Sequence, residues 1–154
     1  MMTTKGWTTS AVGVSLVLAV VWRASADAPA GRYTIDAMNG VVTDTKTGLV
    51  WQQVVFPGTY IWADAKSYFA ALGLAGGGWR LPARKELETL VDESRSTPAI
   101  DPTAFPSTPS DWFWSSSAAP VSYYGGWGVC FGSLWGGDTN RHRYESSIRV
   151  RCVR

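Results

Sequence analysis

Glycine and proline punctuate this chain densely, and two of the stretches between them carry the spacing of a helix. Sixteen glycines and eight prolines fall in 154 residues, so every regular element must be short. Trp62, Ala65, Phe69 and Leu72 recur at three- and four-residue steps. That spacing predicts a helix over 62–72, with Gly73 placed for a left-handed cap. Leu87, Leu90 and Val91 mark the apolar face of a second helix over 83–91. Residues 94–110 carry Pro98, Pro102, Pro106 and Pro109 and read as a long ordered loop. The remaining apolar segments read as strands. They are 33–35, a hairpin of 41–43 and 49–51 closing on Gly48, then 112–114, 127–131 and 148–153. In the last, Ile148, Val150 and Cys152 alternate with Arg149 and Arg151, which are expected to form a solvated face. Strands, two helices and more strands make an α+β order, and the length suits one domain.

The N-terminus reads differently. Residues 11–21 are uncharged and mostly apolar, Lys5 precedes them, and Ala24-Ser25-Ala26 follows. This order predicts a signal peptide over 1–26, then a linker over 27–32. A spanning helix needs about 20 apolar residues, and Arg23 ends the run early. No stable membrane span is expected after cleavage. The destination is periplasmic, outer-surface or secreted. Cleavage removes Lys5 and Arg23 and leaves twelve basic and twelve acidic residues. A neutral domain gives no electrostatic case for nucleic acid. A single histidine and two cysteines exclude a His-rich zinc site, a two-His hydrolase and a four-cysteine ribbon. No metal or cofactor is expected. In an oxidising compartment a Cys130–Cys152 disulfide is the default, worth about 3 kcal/mol by loop entropy. The alternative is two free buried thiols.

Five blocks then occur in order. They are Asp44-x-x-Thr47-Gly48-Leu49-Val50-Trp51, Gly78-Trp79-Arg80-Leu81-Pro82 with Glu86-Leu87, Phe105-Pro106, Trp114-Ser115-Ser116, and the closing Val150-Arg151-Cys152-Val153-Arg154. Together they resemble the C-terminal domain family of the Legionella collagen-like protein, over residues 33–154. The segment Trp62-x-x-Ala65-x-x-Tyr68 with Arg80-Leu81-Pro82 is also similar to formylglycine-generating sulfatase-modifying enzymes. That wider resemblance implies a C-type-lectin-like fold, with two helices beside small twisted sheets. One position departs from the family. Ala83 stands where a helix-capping Thr is usual, which should cost about 1 kcal/mol.

The resemblance implies adhesin-like binding of sulfated polysaccharide and no catalysis. A runner-up is a structural or protein-interaction part of an envelope complex. An oxidase like the formylglycine-generating enzymes would need a nearby cysteine pair, and these two are 22 positions apart. Ser115 to Ser117 with His142 make a weak hydrolase candidate, and Asp138 with Asn140 a thin calcium site. Trp51, Trp62, Trp79 and Trp127 are assigned to the core. Residues 141–154 hold five arginines against Glu145 alone. Loops at 117–126 and 132–147 combine aromatics with that charge, so Tyr123, Tyr124, Trp135, Arg141 and Arg143 are the expected ligand contacts. An anionic polysaccharide or an envelope protein is the expected partner, and self-association is open.

Overall fold

The computed structural model describes residues 29–132 and 136–154. The expected signal peptide, the first two residues of the expected linker and Trp135 therefore lie outside the described residues.

Among the described residues are six strands and two α-helices. The first sheet joins β1 (Tyr33–Asp36), β2 (Val41–Asp44) and β3 (Val50–Gln52) in the order β1-β2-β3. Two helices follow, α1 (Trp62–Tyr68) and α2 (Arg84–Glu88). The second sheet joins β4 (Trp112–Ala118), β5 (Tyr124–Cys130) and β6 (Thr139–Arg143) in the order β4-β5-β6. All ladders are antiparallel. The α+β order is thus present. Both helices are shorter than their periodicity suggests. The first tightens into a 3₁₀ turn at Phe69–Ala71, and Gly73 keeps a negative φ of −79°. Gly48 does take a left-handed φ of +74°, as the turn between β2 and β3 requires.

Two buried clusters hold the sheets together. One contains Val42, Trp51, Leu87, Phe105, Phe113 and Val153. The other contains Val41, Trp62, Phe69, Trp79, Trp114, Val150 and Cys152. Neighbouring residues thus enter different clusters: Val41 and Val42, Phe113 and Trp114, Cys152 and Val153. β2, β4 and the C-terminal segment are buried on both faces, where a surface strand would bury one.

That geometry corrects the reading of 148–153. The segment forms isolated bridges to Tyr60, Phe113, Trp51 and Arg80 and sews the two sheets together. Its second face is not solvated. Arg151 is fully buried and donates to the carbonyls of Gln52 (2.6 Å) and Gln53 (2.7 Å) and to Thr108 Oγ1 (2.6 Å). It also lies over the Phe105 ring. Burial lowers its pKa to about 9. Arg149 is half-buried and pairs with Asp111 at 3.3 Å.

The expected disulfide is also corrected. Cys130 and Cys152 are both free and buried. The Cys130 thiol accepts the Gly132 N–H, while the Cys152 thiol meets the Gln52 side-chain oxygen at 3.3 Å. Separation in sequence sets the entropy of a loop, not the direction of its end side chains. Burial raises both thiol pKa values, that of Cys152 to about 12. Neither is a ready nucleophile.

The family blocks prove structural. Trp51 and Trp114 are fully buried, and Trp114 Nε1 donates to the Tyr60 carbonyl at 2.7 Å. Trp79 Nε1 donates to the Leu74 carbonyl at 2.6 Å. The Pro82 carbonyl accepts the Ser116 N–H at 2.7 Å. Asp44 is wholly buried and pairs with Arg32 at 3.0 Å. Burial alone would raise its pKa, but the bonds from Arg32 and the Lys46 N–H outweigh it and lower the value. Arg80 grips Glu86 through two hydrogen bonds of 2.7 and 2.6 Å, at a partly exposed position. Glu86 also accepts the Ala83 N–H, which is half of a capping box. A different first-turn donor is met from outside the helix: Ser117 Oγ on β4 accepts the Arg84 N–H at 3.0 Å.

Candidate functional site: a basic, aromatic sheet face

The pairing of β5 with β6 sets Trp127 opposite Arg141 and Tyr124 opposite Arg143. Residues directly opposite in an antiparallel pair share a face. Tyr124 and Trp127 are three apart, so plain alternation would send them to opposite faces. A register shift between Tyr124 and Gly126 supplies the odd residue and brings both rings to the same side.

The result is a continuous row. The Arg84 guanidinium lies 4.6 Å from the Trp127 ring centre. Arg141 lies 5.8 Å from Trp127 and 5.2 Å from Tyr124. Tyr124 stacks on Tyr123 with centroids 4.3 Å apart and planes tilted by 37°. Tyr123 is 56% exposed. Its hydrogen bond with Tyr124 raises its pKa, so the phenol stays protonated at neutral pH. Arg84 is ion-paired to Glu88 at 3.2 Å. Arg141 and Arg143 have no carboxylate partner among the described residues, and both are exposed. The cation–π contacts hold Arg141 in place without neutralising it.

The opposite face of the same sheet is closed. Trp62 of α1 lies on Gly125 and Gly126. A Cβ at Gly126 would fall 2.3 Å from Trp62 Nε1, so only glycine lets the helix approach. Trp62 Nε1 donates to the Ser115 carbonyl at 2.8 Å. His142 sits between Trp112 and Trp114, with ring centroids 4.8 and 5.5 Å away. Burial lowers its pKa. The flanking arginines, which face away, are not what depresses it. Its Nε2 has no hydrogen-bond partner, and Ser115 and Ser117 bond elsewhere, so no Ser–His pair forms among the described residues. Nor do three His, Cys, Asp or Glu side chains gather there as metal ligands would.

Four of the five expected contacts therefore meet: Tyr123, Tyr124, Arg141 and Arg143. The segments expected to be loops there include strand at both ends of 117–126 and over Thr139–Arg143. Trp127 was assigned to the core, but it is half-buried, with its ring close to two arginines. Arg84 is the contact that sequence reasoning missed, because its position depends on how α2 packs on the sheet.

The chain thus presents an α+β domain with a fixed aromatic and cationic face. Residues 40–154 match the Lcl C-terminal domain, and the chain belongs to that family. A comparison with curated proteins finds no match. Membership is consistent with an extracellular binding module. No helix among the described residues is long and apolar enough to cross a membrane.

Proposed function

We propose that this protein is an exported, non-catalytic binding module that holds an anionic polysaccharide on the β5–β6 face. One observation carries this reading: Arg141 is fixed against the Tyr124 and Trp127 rings with no carboxylate to neutralise it. Arginine matches sulfate and carboxylate groups with paired N–H donors. Aromatic faces beside it offer flat apolar area to sugar rings. Tyr123 and Arg143 extend the same face. The architecture is read as C-type-lectin-like. Supporting this, the helices flank two small sheets, and the C-terminal segment pairs back onto β3 through Val50 and Arg154.

The test is retention of the purified protein on a heparin column at low salt. Wild type is retained, and Arg141→Ala/Arg143→Ala elutes at clearly lower salt. Equal elution removes this site. No retention on any glycan surface, together with co-purification of an envelope protein, replaces the reading with an assembly role.

A further inference from the structure

A second aromatic surface lies on α1, away from the arginines. It is an open cleft of about 550 Å³. Its walls include Tyr60, Tyr68 and Leu72, and its polar rim includes Asp64, Ser67 and Gly73. That volume suits a small molecule.

Three features define its chemistry. First, among the described residues Asp64 is the only charged one lining the cleft, and it has no ion-pair partner. Lys66 stands two positions on and does not share its face of the helix. It is engaged over the Trp62 ring at 4.0 Å. Second, the tyrosines are rigid. Tyr60 exchanges backbone hydrogen bonds with Ile148 of 2.9 and 3.1 Å. Tyr68 packs on Tyr60, Phe69 and Phe56 with centroids of 5.1, 5.1 and 5.3 Å. Third, one carboxylate cannot build a metal site, since hard cations take six or more oxygens. Electron-rich ring faces beside a single free carboxylate suit a cation that is weakly hydrated and carries its own apolar surface.

We propose that this cleft binds an organic ammonium group, which rests on Tyr60 and Tyr68 and is neutralised by Asp64. The site is independent of the basic face and would favour the opposite charge.

The probe is choline, titrated into the purified protein and followed by amide chemical shifts. Choline should perturb Tyr68, Leu72 and Gly73. The uncharged isostere 3,3-dimethylbutanol should bind about tenfold more weakly, because it keeps the shape and loses both attractions. Asp64→Asn should weaken choline about fivefold, and Asp64→Glu should retain it. Asp64 is exposed, so neither change threatens the fold. Arg141→Ala/Arg143→Ala should leave the choline response intact. Equal binding of the neutral isostere, an unchanged affinity in Asp64→Asn, or shifts centred outside the cleft would overturn the proposal.

Discussion

The β5–β6 face and the α1 cleft are both made of fixed aromatic rings, yet they differ in the charge beside those rings. On the sheet, cross-strand register delivers Arg141 and Arg143 to the Tyr124–Trp127 side. On the helix, Asp64 stands at the rim, and the neighbouring Lys66 is taken up by Trp62. Aromatic content alone therefore says little about what either surface holds. The neighbouring charge decides, and backbone geometry places that charge. Trp62 connects the two regions: it begins α1 and its ring lies on the glycines of β5.

The strongest way to break this arrangement is Gly126→Ala. The added methyl would fall 2.3 Å from Trp62 Nε1, so the indole or the strand must move. Overpacking of this kind costs about 1–3 kcal/mol, and we expect the upper end because a rigid ring is the obstacle. Urea unfolding should show the loss as a lower midpoint. Hydrogen exchange should rise in α1 and β5 together. A rise in one alone would mean that Trp62 does not couple the regions.

Acid separates scaffold from face. The Asp44 pKa is lowered in the folded state, since its bonds from Arg32 and Lys46 outweigh burial, and that of Glu86 is lowered by Arg80. A carboxylate with a depressed folded pKa stabilises above its unfolded value, about 4. That contribution is lost as pH falls through the lower folded value. Unfolding midpoints should therefore fall slightly below about pH 6.5, where buried His142 stays neutral in the fold while the unfolded chain takes up its proton, and steeply below about pH 4. The arginines of the face stay charged throughout. Heparin retention should thus persist until the fold itself gives way. If retention fades while the fold is intact, a carboxylate belongs to the site.

Most of the scaffold was legible because its signals are local. The 3.6-residue spacing gave both helices, the turn ending at Gly48 gave the hairpin of β2 and β3, and four prolines gave the ordered loop. The site was legible only in composition. Tyr123, Tyr124, Arg141 and Arg143 could be named from charge and aromatics. Nothing local revealed the register shift at Gly125 that puts Tyr124 and Trp127 on one side. β6 escaped notice because Thr139–Arg143 lacks the apolar alternation of a strand with a buried face. Arg151 misled for the converse reason: it alternates like a surface residue in a segment buried on both sides. A lone arginine among core blocks was the available hint.

A smaller effect is expected at Ser117. Its hydroxyl on β4 accepts the Arg84 N–H at the start of α2. Ser117→Ala should cost about 1 kcal/mol. Because α2 carries Arg84, heparin retention should weaken slightly, while the α1 cleft keeps its choline response. Ala83→Thr in the same background should recover part of the stability, since its hydroxyl would accept another first-turn donor, the Glu86 N–H. No recovery would mean that Ser117 does more than cap.

The smallest effect belongs to Arg84→Gln, and it sharpens the comparison most. Arg84 and Arg141 both lie against Trp127, but Glu88 neutralises only the first. If ring contact alone made a useful cation, the two substitutions would weaken polysaccharide binding equally. If free charge is what counts, Arg84→Gln should change affinity about twofold or less, as for a paired surface ion. Arg141→Gln should change it several times more. Heparin affinity of the two variants, measured at one salt concentration, decides between these. Adding Glu88→Gln to wild type should strengthen binding, because it frees Arg84 and Lys85 together. The face would then differ from the cleft by still more positive charge, with its rings unchanged.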